Sequence, residues 1–161
     1  MANKSKIKGS VYEAKITKYL TKELGLEFKR VPLSGAIDYL KGDLWTPHDT
    51  AAWPYCIECK HYKHVEWNNL LTAKSTDLLE FWRQTEQGAE IMRKKPLLIF
   101  RWNRSKDFVA WNDEIEVDHY VEVNSFGCHF KISQLDHWVK ALNRFKKRDK
   151  KEYSDDIYPM W

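Results

Sequence analysis

The sequence is poor in the features that mark secreted, membrane and repeat proteins. Its three cysteines are an odd count, which gives no disulfide framework and makes a reducing, cytoplasmic interior the expected setting. No apolar run approaches the length of a membrane span, so no membrane helix is expected. The first nine residues are polar and lysine-rich, without the apolar stretch of a secretory leader. No internal repeat is visible. The excess of positive charge is small: 27 Lys and Arg against 23 Asp and Glu leave +4, which suits a nucleic-acid partner without demanding one. What remains is 161 residues, 43% hydrophobic and 31% charged, the proportions of one globular domain with one core. Eight Trp, eight Tyr and seven Phe exceed what one core should need, so some are expected at a ligand or an interface.

Apolar residues recur at helical spacing at Tyr12, Ile16, Leu20 and Leu24, and Gly25 follows them, which predicts a helix over 10–24. Strands are expected over 26–31, closed by Pro32, and over 40–46, with a loop at 33–36 between them. A third strand is expected over 55–60, and 61–74 reads as a loop or short helix. A second helix spans 77–94 with Leu78, Leu79, Trp82, Ala89 and Met92 on its buried face. The fully apolar Leu97-Leu98-Ile99-Phe100 is a strand buried on both faces. Further strands are expected at 108–111 and 119–123. A last helix, capped by Ser133 with Asp136 as its capping box, ends in a basic run over 144–151, and residues 152–161 form a tail. That order gives an α/β fold: a mixed sheet with helices on its faces and a basic C-terminal helix, all in one domain over 1–161.

The informative stretch runs from Gly42-Asp43-Leu44 to Tyr55-Cys56-Ile57-Glu58-Cys59-Lys60. Side chains alternate along a strand, so Glu58 and Lys60 share one face and Ile57 and Cys59 the other. If Asp43 lies on the neighbouring strand, its carboxylate joins that of Glu58, and a divalent cation relieves their repulsion. A hard cation beside the Lys60 ammonium is suited to phosphodiester hydrolysis. Asp43 and Glu58, with the backbone carbonyl of Ile57 or Cys59, are the expected ligands of magnesium, or of manganese in its place. No nucleotide cofactor is expected. The rival reading, zinc on Cys56, Cys59, His61 and His64, fails because Cys56 and Cys59 would point to opposite faces of the strand.

Asp43 followed by Glu58-Cys59-Lys60 resembles the signature of the restriction-endonuclease-like, PD-(D/E)XK nucleases. The flanks narrow the likeness. Lys8-Gly9-Ser10-x-x-Glu13 resembles the opening of archaeal-type Holliday junction resolvases, as do Arg30 through Ser34-Gly35, Leu78 to Phe81, Pro96 to Ile99 and Phe108 to Trp111. The resemblance covers about residues 6–111, and 112–151 read as accessory strands and the basic helix. It implies a restriction-endonuclease-like sheet and a magnesium-dependent homodimer that resolves four-way junctions by paired nicks. The small plan suits a phage-encoded member acting in the host cytoplasm.

By the same resemblance Glu13 joins Asp43, Glu58, Lys60 and Ser34 as a site residue and adds a carboxylate to the metal set. Gln84 matches a glutamine near the site in some nucleases of the superfamily. Lys6, Lys8, Arg30, Ser34, Gly35, His61 and Lys63 are the expected DNA contacts, and Asp38 competes with Asp43 for the first carboxylate. The alternatives are a nuclease of this fold acting on duplex, flap or single-stranded DNA, or a catalytically silent DNA-binding module. Phe100, Trp102, Phe108 and Trp111 are the expected dimer patch, since exposed they would form a large apolar surface.

Overall fold

The computed structural model describes residues 3–32 and 40–156. Helix α1 runs Lys4–Leu24. It begins earlier than the apolar stripe indicates because the Asn3 side chain accepts from Ser5 N at 3.2 Å, which caps the first turn. Lys6 and Lys8 therefore stand on the helix. Gly25 ends it in the left-handed region, at φ 70°. Strands β1 (Lys29–Arg30) and β2 (Leu44–Trp45) are two residues each, shorter than the expected runs over 26–31 and 40–46.

Strand β3 (Tyr55–Tyr62) extends two residues past Lys60. A short helix α2 (Trp67–Leu71) precedes α3 (Asp77–Met92), whose first turn is capped by Thr76. Strands β4 (Lys95–Trp102) and β5 (Phe108–Trp111) follow, then β6 (Val121–Ser125), β7 (Cys128–Gln134) and α4 (Leu135–Asp156).

One seven-stranded sheet takes the order β1-β2-β3-β4-β5-β7-β6. Only β3 and β4 pair in parallel, with Glu58 opposite Leu98 and His61 opposite Arg101, and α2 and α3 make the crossover between them. The other pairs are antiparallel. This is the expected mixed sheet with helices on its faces. On one face Tyr12, Ile16 and Leu20 of α1 and Trp138, Val139 and Leu142 of α4 pack over Tyr55, Ile57, Cys59, Leu97 and Ile99. On the other, Leu78, Leu79 and Trp82 of α3 pack over Tyr62, Leu98, Phe100, Phe130 and Ile132. All four residues of Leu97-Leu98-Ile99-Phe100 are fully buried, split between the two faces as a strand covered on both sides requires.

Three expectations are corrected. Ser133 is not a helix cap: it lies inside β7, paired with Val109. The Ser-x-x-Asp spacing is a coincidence of a strand running straight into a helix. The Leu135 amide instead donates to the Asp107 carbonyl at 2.9 Å. Residues 152–156 continue α4 rather than starting a tail. The dimer patch also fails for two of its four members. Phe100 and Trp111 are fully buried within the chain, Trp111 in the core that holds Trp138 and Leu142 and Phe100 in the core that holds Phe130. Trp102 and Phe108 stack on each other at 4.9 Å and are half-buried.

Trp111 is therefore a core residue whose indole also donates to the Ile115 carbonyl at 2.9 Å. Trp111→Ala should cost roughly 3–5 kcal/mol in urea unfolding. A variant of unchanged stability that had lost only self-association would return Trp111 to an interface.

Candidate active site

Gly42 turns the chain into β2 at φ 87°, in the left-handed region. A Cβ there would stand 2.6 Å from the Ile57 carbonyl oxygen, so only glycine lets the backbone approach β3 so closely. The next residue uses that approach. The Asp43 amide donates to the Ile57 carbonyl at 2.7 Å, and the Asp43 carbonyl accepts from Val31 N at 2.8 Å. The Asp43 side chain then reaches along β3, where its Oδ2 accepts from the Cys59 amide at 2.7 Å. Asp43 is thus held by backbone at both ends although it stands just before the two residues of β2.

Glu58 projects from β3 beside it. Burial pushes the Glu58 carboxyl up to about 8; the charge of Asp43 and a hydrogen bond between the two carboxyls add to the effect, and Lys60 opposes it. Lys60 shares this face, with its ammonium 4.5 Å from the centre of the Phe81 ring on α3. Glu13 enters from α1. Burial and Asp43 raise its carboxyl above the usual range, while Arg30 and Lys60 pull it back. Its Oε2 accepts from Arg30 Nε at 2.9 Å.

The fold therefore brings Asp43, Glu58, Lys60, Glu13 and Arg30 together from the turn before β2, from β3, from α1 and from β1. Among the described residues no three His, Cys, Asp or Glu side chains close into a metal-binding group. Glu13 faces Arg30 instead of completing one. The Asp43–Glu58 pair still has the chemistry of a hard-cation site: half-buried oxygen donors whose mutual repulsion lacks a full counter-charge. The Ile57 carbonyl is occupied by the Asp43 amide, which leaves the Cys59 carbonyl as the backbone donor. Zinc is disfavoured on geometry and on acidity. The Cys59 thiol is in the α1-side core, while Cys56 lies towards Gly42 and Gly88. Burial and the neighbouring carboxylates push Cys56 up to about 12 and Cys59 well above its ordinary value.

Lys8 Nζ donates to Asn103 Oδ1 at 2.5 Å, and the half-buried His61 ring lies 5.6 Å from that of Tyr12. Burial and the charges of Lys8 and Arg101 hold the His61 imidazole below its usual range. Lys6 and Lys63 are exposed on α1 and just past β3. Gln84 is exposed on α3, one turn beyond Phe81, and no hydrogen bond among the described residues ties it to the carboxylates. Ser34, Gly35 and Asp38 lie outside the described residues. Phe81, which lies against Lys60, was missed from sequence; its signal was its place three residues after Leu78 on the helix facing the strand.

The family model described as "Phage putative PDDEXK endonuclease" matches residues 4–155. Protein D14 of Escherichia phage T5 is 36% identical over 115 residues, covering 68% of this chain and 72% of that protein. Among solved structures, Hjc of Archaeoglobus fulgidus, a Holliday junction resolvase, is similar at 16% identity and a TM-score of 0.43, over 81% of this chain and 91% of that one.

The raised Glu58 carboxyl gives stability a direction with pH. The folded state keeps the proton to about 8, whereas the unfolded chain releases it in the ordinary carboxylate range. Between those limits the unfolded state binds fewer protons, so metal-free stability should fall as pH rises and level off above about 8. Thermal melts of the metal-free protein should show this fall, and Glu58→Gln should flatten it. A profile unaltered by Glu58→Gln would assign the linkage to another group.

Proposed function

This chain belongs to the phage PDDEXK endonuclease family, and on that premise we propose that it is a divalent-metal-dependent DNA endonuclease that resolves four-way junctions as a homodimer. The observation that carries the nuclease reading is the convergence of Asp43, Glu58 and Lys60 on one face of β3 with Glu13 beside them. The junction reading is supported by the pairing of Glu13 with Arg30, two residues the sequence resemblance assigns to one site. A junction has approximate two-fold symmetry and needs two cuts on opposing strands, which a symmetric dimer with one site per subunit supplies.

Asp43, Glu58 and the Cys59 carbonyl would hold magnesium, or manganese in its place. When bound, such an ion polarises the phosphate and makes its coordinated water a better nucleophile at neutral pH. Asp43 is fixed by backbone on both sides, so its free carboxylate oxygen is already oriented. Lys60, braced against the Phe81 ring, presents a compact ammonium to the charge that develops on the phosphate. Glu13 holds Arg30 at the rim, where the guanidinium can meet a neighbouring phosphate. Ser34 and Gly35 are proposed as further phosphate contacts and Gln84 as a polar group on the α3 side.

Asp43→Asn removes charge while keeping shape, so cleavage should fall roughly 100-fold or more while junction binding persists. Lys60→Arg should fail as Lys60→Ala does, because a planar guanidinium replaces a compact donor. Substantial cleavage by Lys60→Arg would remove Lys60 from the chemistry. One magnesium gel with a labelled four-way junction, a linear duplex and a flap of the same arms reads the substrate. Paired nicks in the junction alone support resolution; equal cutting of the duplex moves the substrate to ordinary DNA. Light scattering should report twice the chain mass, and a monomer that makes paired cuts would remove the dimer.

A further inference from the structure

The two edges of the sheet are built differently. At one edge stands β1, two residues long, both of them cations, with Arg30 tied to Glu13. Short, charged edges resist pairing with another chain. At the other edge β6 runs five residues, Val-Glu-Val-Asn-Ser, and among the described residues it pairs with β7 alone. It holds no Lys, Arg or Pro. Its ladder with β7 steps evenly from Val121–Ile132 to Ser125–Cys128, without a bulge. The outer row of backbone donors and acceptors on β6 is therefore a template for one more strand.

Exposed apolar side chains collect at the same edge. Seven large hydrophobic side chains are exposed among the described residues, and three of them are Tyr120, Val121 and Phe126, at 49%, 62% and 50%. These stand on β6 or next to its ends. With Gly127, Phe126 forms the two-residue turn into β7, at φ 51° and 74°, where Asn or Gly is the ordinary choice. A bulky residue is disfavoured in that left-handed conformation, and this one leaves half of its surface in water. Packing within the chain does not account for it.

The symmetry of the strand selects the partner. An antiparallel copy of β6 laid along its edge, with the two-fold axis at Val123, pairs all five residues. Val121 then lies opposite Ser125 of the second copy, Glu122 opposite Asn124, and Val123 opposite Val123. Beyond the strand ends Tyr120 meets Phe126 on both sides. No like charges oppose each other, and two aromatic pairs close the ends. Moving the axis to Glu122 would set that carboxylate against its own copy. Building on the homodimer reading above, we infer that β6 is the interface with a second copy of this chain, joining the two sheets into one of fourteen strands. Antiparallel pairing puts the axis perpendicular to the sheet, so both α3 faces look the same way. Glu58, Leu98, Ala110, Ile132 and Val121 form one row across each sheet on that face. Four strand steps lead from β3 to β6 in each copy and one more joins the copies. Both carboxylate sites therefore open on one side of the dimer, roughly 40 Å apart.

Light scattering and an oxidative cross-link on the full chain test the interface. The wild type should show twice the chain mass. Combining Val121→Lys with Phe126→Asn should weaken association roughly 100-fold or more, since each dimer then buries two added lysines and loses both aromatic pairs. Asn suits the turn that Phe126 occupies, and thermal melts check that the variant is folded. Ile91→Lys, at an exposed position on α3, adds the same charge and should leave the dimer mass unchanged. A Glu122→Cys chain and an Asn124→Cys chain, mixed and oxidised, should cross-link to each other far more than either does to itself, because opposite Cα atoms of antiparallel strands lie within disulfide reach. The three native cysteines are buried and do not compete. A wild-type dimer that the Val121→Lys, Phe126→Asn variant leaves intact overturns this interface and keeps the homodimer. Cross-linking of each cysteine chain chiefly to itself overturns the register about Val123. A wild type that stays monomeric overturns both the interface and the homodimer and leaves the nuclease reading standing.

Discussion

The arrangement around Asp43 depends on how closely one turn of backbone can approach β3. Gly42 places its Cα where any side chain would strike the Ile57 carbonyl, and that contact distance lets the next residue bond to β3 through its amide and its carboxylate. Other residues follow from it. With Asp43 fixed against Cys59 N, the Glu58 carboxyl cannot avoid it, because the alternation of β3 sends Glu58 to the same side. The two carboxyls then share an incompletely solvated space, and Glu58 resists ionisation. Lys60, two residues on, faces the same space and offsets part of that cost. Charge density there is a consequence of backbone geometry, and it favours whatever supplies positive charge.

Much of this was legible in the sequence, because strand alternation is a strong constraint. The faces of Glu58, Lys60, Ile57 and Cys59, the opposite faces of Cys56 and Cys59, and the doubly buried run of β4 all follow from period two. So do the stripe of α1 and its stop at Gly25, from period 3.6. The failures have physical causes. The first two strands were read too long because apolar alternation continues where the ladder does not: β1 and β2 are edge pieces, and Asp43 spends its hydrogen bonds on β3 before β2 begins. β7 was overlooked although Cys128, Phe130 and Ile132 alternate with His129, Lys131 and Ser133, because Ser133 and Asp136 matched a capping spacing. In that segment two local rules competed, and the long-range pairing with β5 decided between them.

The role of Glu13 shows where local reading ends. On α1 it is one polar position beside an apolar stripe, and spacing alone assigns it to solvent. Its position at the site depends on two distant facts: α1 runs antiparallel to β3 across the sheet, and Arg30 sits on the outermost strand where its guanidinium meets the helix. Neither is encoded within a window around residue 13. Resemblance to the resolvases points to Glu13, and the structure pairs it with Arg30.

The small net charge hides an uneven distribution of cations. One group gathers where β3 and β4 end, at Lys8, His61 and Arg101, on the α1 face of the sheet and across it from Glu58 and Lys60. The other is the basic run of α4, whose Lys146 lies 5.8 Å from the centre of the Trp53 ring, just before β3 begins. The length of β3 separates them, seven steps from Tyr55 to Tyr62 or about 23 Å. Lys146 is held below its ordinary range by burial and by Lys150, as expected of a lysine whose stem covers an aromatic core residue. The α4 run therefore contributes packing as well as charge and stands at the opposite end of β3.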